Sequence, residues 1–212
     1  MITIKIIACN PWQENTYILH DETKECIIID SGCINHSEKV EIEEYISENE
    51  LKVVKLVNTH LHIDHIFGID YLKCLYKVDL HAHKDDEFLL ASQVGYIAQL
   101  GVEGINLPSK IDQYFQDGDV VKFGNSELKV MHIAGHTPGG VVFYNPEQKF
   151  VISGDILFKG SIGRSDFEYG DYESLVSGIS KKIMCLDDEV EVYPGHGEKT
   201  SIAFEKMNNP FL

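Results

Sequence analysis

The stretch THLHIDH at 59–65 places four groups able to bind a cation, His60, His62, Asp64 and His65, within six residues. In an extended loop, residues two apart point the same way, so His60 and His62 can grip one ion together. Asp64 would follow on that side, while His65 turns away and is free to serve a second centre. The device differs from HExxH, where helical spacing brings two histidines together. A polar loop with incidental histidines is the bland alternative; it suits a lone pair better than four ligands so close. Three more candidates stand apart: His136 in AGHTPGG, Asp155 in SGDILF and His196 in PGHGE. Each has a glycine beside it, where backbone can pass close to an ion with no side chain in the way. Taken singly, a buried histidine or a turn aspartate is the commoner explanation of each. Together the set holds five imidazoles and two carboxylates, enough for two transition-metal ions with open positions. Such a set supports metal-assisted hydrolysis, because a bound ion lowers the pKa of water to about 7.

These residues need elements to hold them. Runs rich in Val, Ile, Tyr and Phe, bounded by Gly, Asp and Asn, predict strands over 2–8, 15–20, 25–29, 53–57, 119–123, 127–132, 140–145, 149–153 and 189–193. Amphipathic stretches predict helices over 37–49, 67–77, 84–99, 171–184 and 199–207. Ser37 is the expected N-cap of the first and Asp171 of the fourth. In the third, Phe88, Leu89, Tyr96 and Ile97 have a spacing that suits a core, or a wall at the entrance of the site. Each candidate ligand group follows a predicted strand, as sites in open α/β sheets commonly do. The mix predicts an α/β protein whose sheet is partly antiparallel.

The chain of 212 residues suits one domain over 1–212, and its 43% hydrophobic and 25% charged content is ordinary for a globular protein. With 18 basic against 34 acidic residues the net charge is −16, which repels phosphate backbones, so nucleic acid is not an expected partner. The five cysteines are odd in number and show no CxxC spacing, which points to a reducing cytoplasm. The opening MITIKIIACNPWQEN alternates like a strand and is too short in apolar run for a signal-peptide core. No run approaches the ~20 apolar residues of a membrane helix, so the expectation is a cytoplasmic protein with no membrane partner. Oligomeric state is left open.

THLHIDH, GHTPGG, SGDILF, GSIGRSDF and PGHG, in this order, resemble the metallo-β-lactamase-fold hydrolases, and most closely the short glyoxalase II-like (hydroxyacylglutathione hydrolase-like) group. IIIDSG at 27–32 and the final NNPFL extend the likeness to nearly the whole chain. The resemblance implies a four-layer αββα sandwich with metals at one edge of the paired sheets. It implies one metal on His60, His62 and His136, a second on Asp64, His65 and His196, and Asp155 bridging the two with a hydroxide. Two divalent ions are implied, zinc first, with iron and manganese also suited to His/Asp sites. The sequence departs from the family pattern at Ala134, where proline is common. Only Gly197–Leu212 follows His196, where typical glyoxalase II enzymes carry a helical extension that helps bind glutathione, so the thiol is left open.

On this assignment two divalent ions outweigh two carboxylates and a hydroxide. The centre is net positive, attracts an anionic substrate and stabilises an oxyanion. Asp64 and Asp155, occupied as ligands, leave no spare acid to protonate an amine. A thiol of pKa about 8.5 departs as thiolate, so the expected substrate is a small acyl thioester such as S-lactoylglutathione. Arg164, in the loop beyond Asp155, either pairs a substrate carboxylate or pairs Asp166 or Asp171 structurally. Lys159 reads as solvated. Asp30 either orients a ligand loop from behind or forms a turn. HAHKDDE at 81–87 repeats the HxH spacing but lacks the following DH, and is read as structural, as is His132.

Two rival activities share these motifs. One is a mononuclear iron persulfide dioxygenase using His60, His136 and Asp155; the other is a lactone or ester hydrolase. A non-enzymatic metal-binding module is the third alternative, and the full set of seven ligand positions speaks against it.

Overall fold

The computed structural model describes residues 1–99 and 105–212. Its first half contains β1 (Thr3–Cys9), β2 (Glu14–His20), β3 (Glu25–Ile29), α1 (His36–Glu48), β4 (Lys52–Val57), α2 (Ile69–Tyr76), β5 (Leu80–His83), α3 (Glu87–Ser92), α4 (Val94–Gln99) and β6 (Gln113–Phe115). Its second half contains β7 (Val120–Phe123), β8 (Ser126–His132), β9 (Val141–Asn145), β10 (Phe150–Gly154), β11 (Leu157–Phe158), β12 (Ser161–Ile162), α5 (Tyr172–Gly178), β13 (Glu191–Pro194), β14 (Thr200–Ser201) and α6 (Ile202–Asn208). The strands form one sheet in the order β1-β2-β3-β4-β5-β6 and another in the order β14-β13-β10-β9-β8-β7, with a small β11–β12 hairpin. The first is antiparallel up to β3 and parallel beyond it; the second is antiparallel except for β10 beside β13.

Strand alternation explains the layers. In β3, Cys26 and Ile28 face a core shared with Ile42 and Ile46 of α1 and Leu72 of α2, while Ile27 and Ile29 face the other sheet. In β10, Phe150 and Ile152 meet Ile27 and Ile29 between the sheets, while Val151 turns outward to Leu175 of α5 and Ile202 of α6. Three apolar cores separate four layers, which is the αββα sandwich. Truncating one of these fully buried aliphatic side chains to alanine costs about 2–5 kcal/mol.

Several expectations are corrected. Asn35, not Ser37, caps α1: its side chain accepts from the Glu38 N–H, and Glu38 answers in a capping box. Asp171 does cap α5. β5 and β6 were not foreseen, and the helix expected over 84–99 divides into a short 3-10 turn, α3 and α4. Leu89 and Ile97 are buried, Phe88 is exposed, and the side chain of Tyr96 lies outside the described residues. Among the described residues no helix is long and apolar enough to cross a membrane.

Candidate metal centre

β4, β8, β10 and β13 all deliver their C-terminal loops to one place. His62 Nδ1 lies 2.9 Å from His136 Nε2 and 3.1 Å from His60 Nε2. Beside this set, His196 Nε2 lies 3.3 Å from His65 Nε2 and 3.2 Å from Asp64 Oδ2. Asp155 stands between the sets. Its Oδ2 is 3.6 Å from His136 Nε2 and 3.7 Å from His196 Nε2, and its Oδ1 is 3.4 Å from His65 Nε2. All seven candidates therefore converge. The simple alternation expected for the loop holds only as far as His62, which is still extended (ψ 154°). Ile63–His65 then curls into a 3-10 turn, which swings Asp64 away from His60 and His62 to join His65.

Each imidazole turns one nitrogen inward and gives the other to a partner. His136 Nδ1 donates to the Arg164 carbonyl at 2.8 Å, and His196 Nδ1 to the Trp12 carbonyl at 2.9 Å. His65 Nδ1 donates to Asp30 Oδ2 at 3.1 Å. The Thr59 hydroxyl spends its proton on Asp30 Oδ2 at 2.6 Å, so it accepts from His60 Nδ1 at 3.1 Å. Carbonyls and carboxylates only accept, so each of these four rings keeps a proton outside, and in its neutral form its lone pair faces the centre. Lone pairs gathered about 3 Å apart repel unless a cation lies among them. Asp155 Oδ1 is buried with no hydrogen-bond partner among the described residues, an orphan of the kind a cation satisfies. Three nitrogens, two nitrogens with a carboxylate, and a shared carboxylate form a donor set that fits divalent zinc, iron or manganese.

Electrostatics agree for the first set, whereas in the second the carboxylates favour protonated rings where no cation stands between them. Burial, reinforced by neighbouring imidazoles, holds His60 well below its ordinary value, and burial with His136 pushes His62 down to about 3. Burial opposes ionisation of Asp155, but His65 and the other imidazoles prevail and hold it below the usual carboxylate range. Burial likewise opposes charge on His65; Asp155, Asp64 and the Asp30 hydrogen bond outweigh it and raise its pKa.

The supporting residues were mostly invisible in the sequence. Asp30 is the exception: both expected roles are filled, since it occupies the left-handed region (φ 53°) and grips Thr59 and His65. Asn10 holds the Asp64 carbonyl and Asn15 the carbonyls of Pro194 and Gly197, so the β1–β2 turn clamps the second set. Asp86 accepts from the Leu61 N–H, the Thr137 hydroxyl and the Gly139 N–H, tying the His62 loop to the His136 loop. A Cβ on Gly195 would collide with Asp155 Oδ1, which makes glycine necessary there. Tyr169 hydrogen-bonds His62 Nε2 at 2.9 Å. Asn10, Asn15 and Tyr169 carry no spacing signal.

The centre opens into a cleft of about 960 Å³. Trp12, Phe158, Phe167 and Tyr169 give it apolar walls, and Lys159 and Arg164 stand at its rim. Arg164 pairs with Asp166 at 2.7 and 3.0 Å, not with Asp171, and lies over the Phe167 ring. Lys159 pairs with Glu198. Of the HAHKDDE histidines, expected to be structural, His81 and His83 lie in β5; His83 comes near Asp85 and His132 but stacks on His132 with ring planes 6° apart. Parallel stacked rings cannot aim both lone pairs at one ion.

Comparison with known proteins accords with this geometry. The model of the Metallo-beta-lactamase superfamily matches residues 9–196. The chain is 36% identical to the hydroxyacylglutathione hydrolase GloC of Haemophilus influenzae, covering 100% of this chain and 98% of that protein. The crystal structure of the BLEG-1 B3 metallo-beta-lactamase superposes with a TM-score of 0.88 at 30% identity, over 99% of each chain. TTHA1623 in a di-iron-bound form superposes with a TM-score of 0.85 at 31% identity, over 98% of this chain and all of that one. The chain belongs to the metallo-beta-lactamase superfamily, whose proteins bind divalent metals.

Proposed function

We propose that this protein is a dinuclear metallo-hydrolase that cleaves a small acyl thioester. The observation that carries the reading is the pairing of two inward-facing donor sets, equally complete, with Asp155 between them. His60, His62 and His136 would hold one ion, Asp64, His65 and His196 the other, and Asp155 both. When bound, the ions supply a water acidified to neutral pH and polarise an acyl oxygen.

The chain's own residues then select the leaving group. Asp64 and Asp155 would both be occupied as ligands, so neither offers a proton to a departing amine. A thiolate leaves without one. The apolar walls of the cleft suit the thiol and acyl arms, and Arg164 would pair a substrate carboxylate by leaving Asp166. Both side chains of that pair are exposed to water, which screens it, so exchange costs little. The likeness to a relative named a hydroxyacylglutathione hydrolase, over 98% of that protein, supports a glutathione thioester as the substrate.

A substrate panel tests it. S-lactoylglutathione is expected to release free thiol faster than lactones, β-lactams or simple esters are opened, with no oxygen consumed. Turnover confined to lactones, or oxygen uptake with glutathione persulfide, would overturn the proposal.

A further inference from the structure

Four of the five imidazoles have their outward proton fixed by a group that can only accept in its present bonding. His62 is the exception, because its outward partner is the Tyr169 hydroxyl, which can accept or donate. If Tyr169 donated to Nε2, the His62 proton would sit on Nδ1, 2.9 Å from His136 Nε2, and would close the first set to a cation. If Tyr169 accepts, Nδ1 turns its lone pair inward. We propose that Tyr169 accepts from His62 Nε2–H and so is the positioning residue that holds the His62 Nδ1 lone pair inward and, through it, the metal affinity of the first set. The inference rests on the reading that His60, His62 and His136 hold an ion.

The surroundings hold the phenol for this task. Its ring stacks on Phe167 (centroids 5.3 Å apart, planes 13°) and meets the edge of Phe88 at 5.4 Å. Phe167 in turn lies 4.9 Å from the His62 ring. The loop is anchored at its far end, where the Asp171 N–H donates to the Gly135 carbonyl at 2.8 Å. The same loop supplies the Arg164 carbonyl that fixes His136. One segment between β12 and α5 therefore orients two of the three imidazoles of the first set while its side chains line the cleft.

Tyr169→Phe removes the hydroxyl and keeps the ring stacking. Zinc affinity is read by competition with a chromophoric chelator in wild type and variant, and the His62 tautomer by imidazole ¹⁵N shifts of the metal-free proteins. One zinc ion is expected to bind about 10- to 100-fold more weakly in the variant, the other unchanged, with loss of the fixed Nε2–H form of His62. Unchanged affinity with an unchanged tautomer overturns the inference and leaves the metal reading intact. Equal weakening of both ions also overturns it, since that marks a general structural defect. A wild-type protein that binds no zinc on this set overturns both.

Discussion

Asp30 Oδ2 accepts from His65 Nδ1 at 3.1 Å while the opposite nitrogen of the same ring stands 3.4 Å from Asp155 Oδ1. One buried carboxylate thus aims an imidazole at another from behind. Asp30 also takes the N–H and hydroxyl of Thr59, so it serves His60 and His65 together. Asp30→Asn would set an NH₂ group against a donor on one side. Metal affinity is expected to fall about 10- to 100-fold, and unfolding free energy by about 2–4 kcal/mol. Chelator competition and urea denaturation check this; wild-type values in both would remove Asp30 from the account.

Asp155→Asn is expected to lower the occupancy of both metals, because the shared anion is lost. His196→Ala is expected to lower one only. Elemental analysis of the two variants separates a bridging carboxylate from a ligand of one set. Full retention of two metals and of hydrolysis in Asp155→Asn would show that the bridging assignment is wrong.

Arg164 is exposed at the cleft rim and free to exchange Asp166 for a substrate carboxylate. Arg164→Ala should raise KM for anionic thioesters several-fold more than for neutral ones, with kcat little changed. Equal effects on both would refute the pairing.

Asp86 makes a pH prediction. Burial pushes its carboxyl up to about 6, with the hydrogen bonds from Thr137, Gly139 and Leu61 pulling the other way. The folded state therefore holds this proton more tightly than the unfolded one. Its contribution to stability is complete below about pH 4 and is lost as pH rises through about 6, a change of roughly 3 kcal/mol. The Asp86 carboxyl carbon should titrate near 6 by NMR; a midpoint near 4 would contradict this.

Much of this was legible beforehand, and particular residues show why. The seven centre residues stood out because four ligands crowd into six positions after one apolar strand, and His136, Asp155 and His196 each stand beside glycine after another. The strands β1, β2, β3 and β10 announced themselves through their β-branched residues. β5 did not: it is four residues long, and His81 and His83 occupy one of its faces, so its alternation resembled a ligand motif. β6 has three residues, too few to show a period. The side of the loop on which Asp64 falls depends on the 3-10 turn at 63–65, which alternation alone cannot foretell. Tyr169, Asn10 and Asn15 act across long sequence separations, and Trp12 acts through its carbonyl, which any residue could supply.

The central claim is that two ions, held by two donor sets around Asp155, hydrolyse a thioester. Metal-free protein titrated with zinc, iron or manganese, with free thiol released from S-lactoylglutathione measured at each step, tests it most directly. The account predicts that activity climbs to a plateau at two metal equivalents per chain, without oxygen uptake. A plateau at one equivalent, or metal binding with no thiol released, would contradict it.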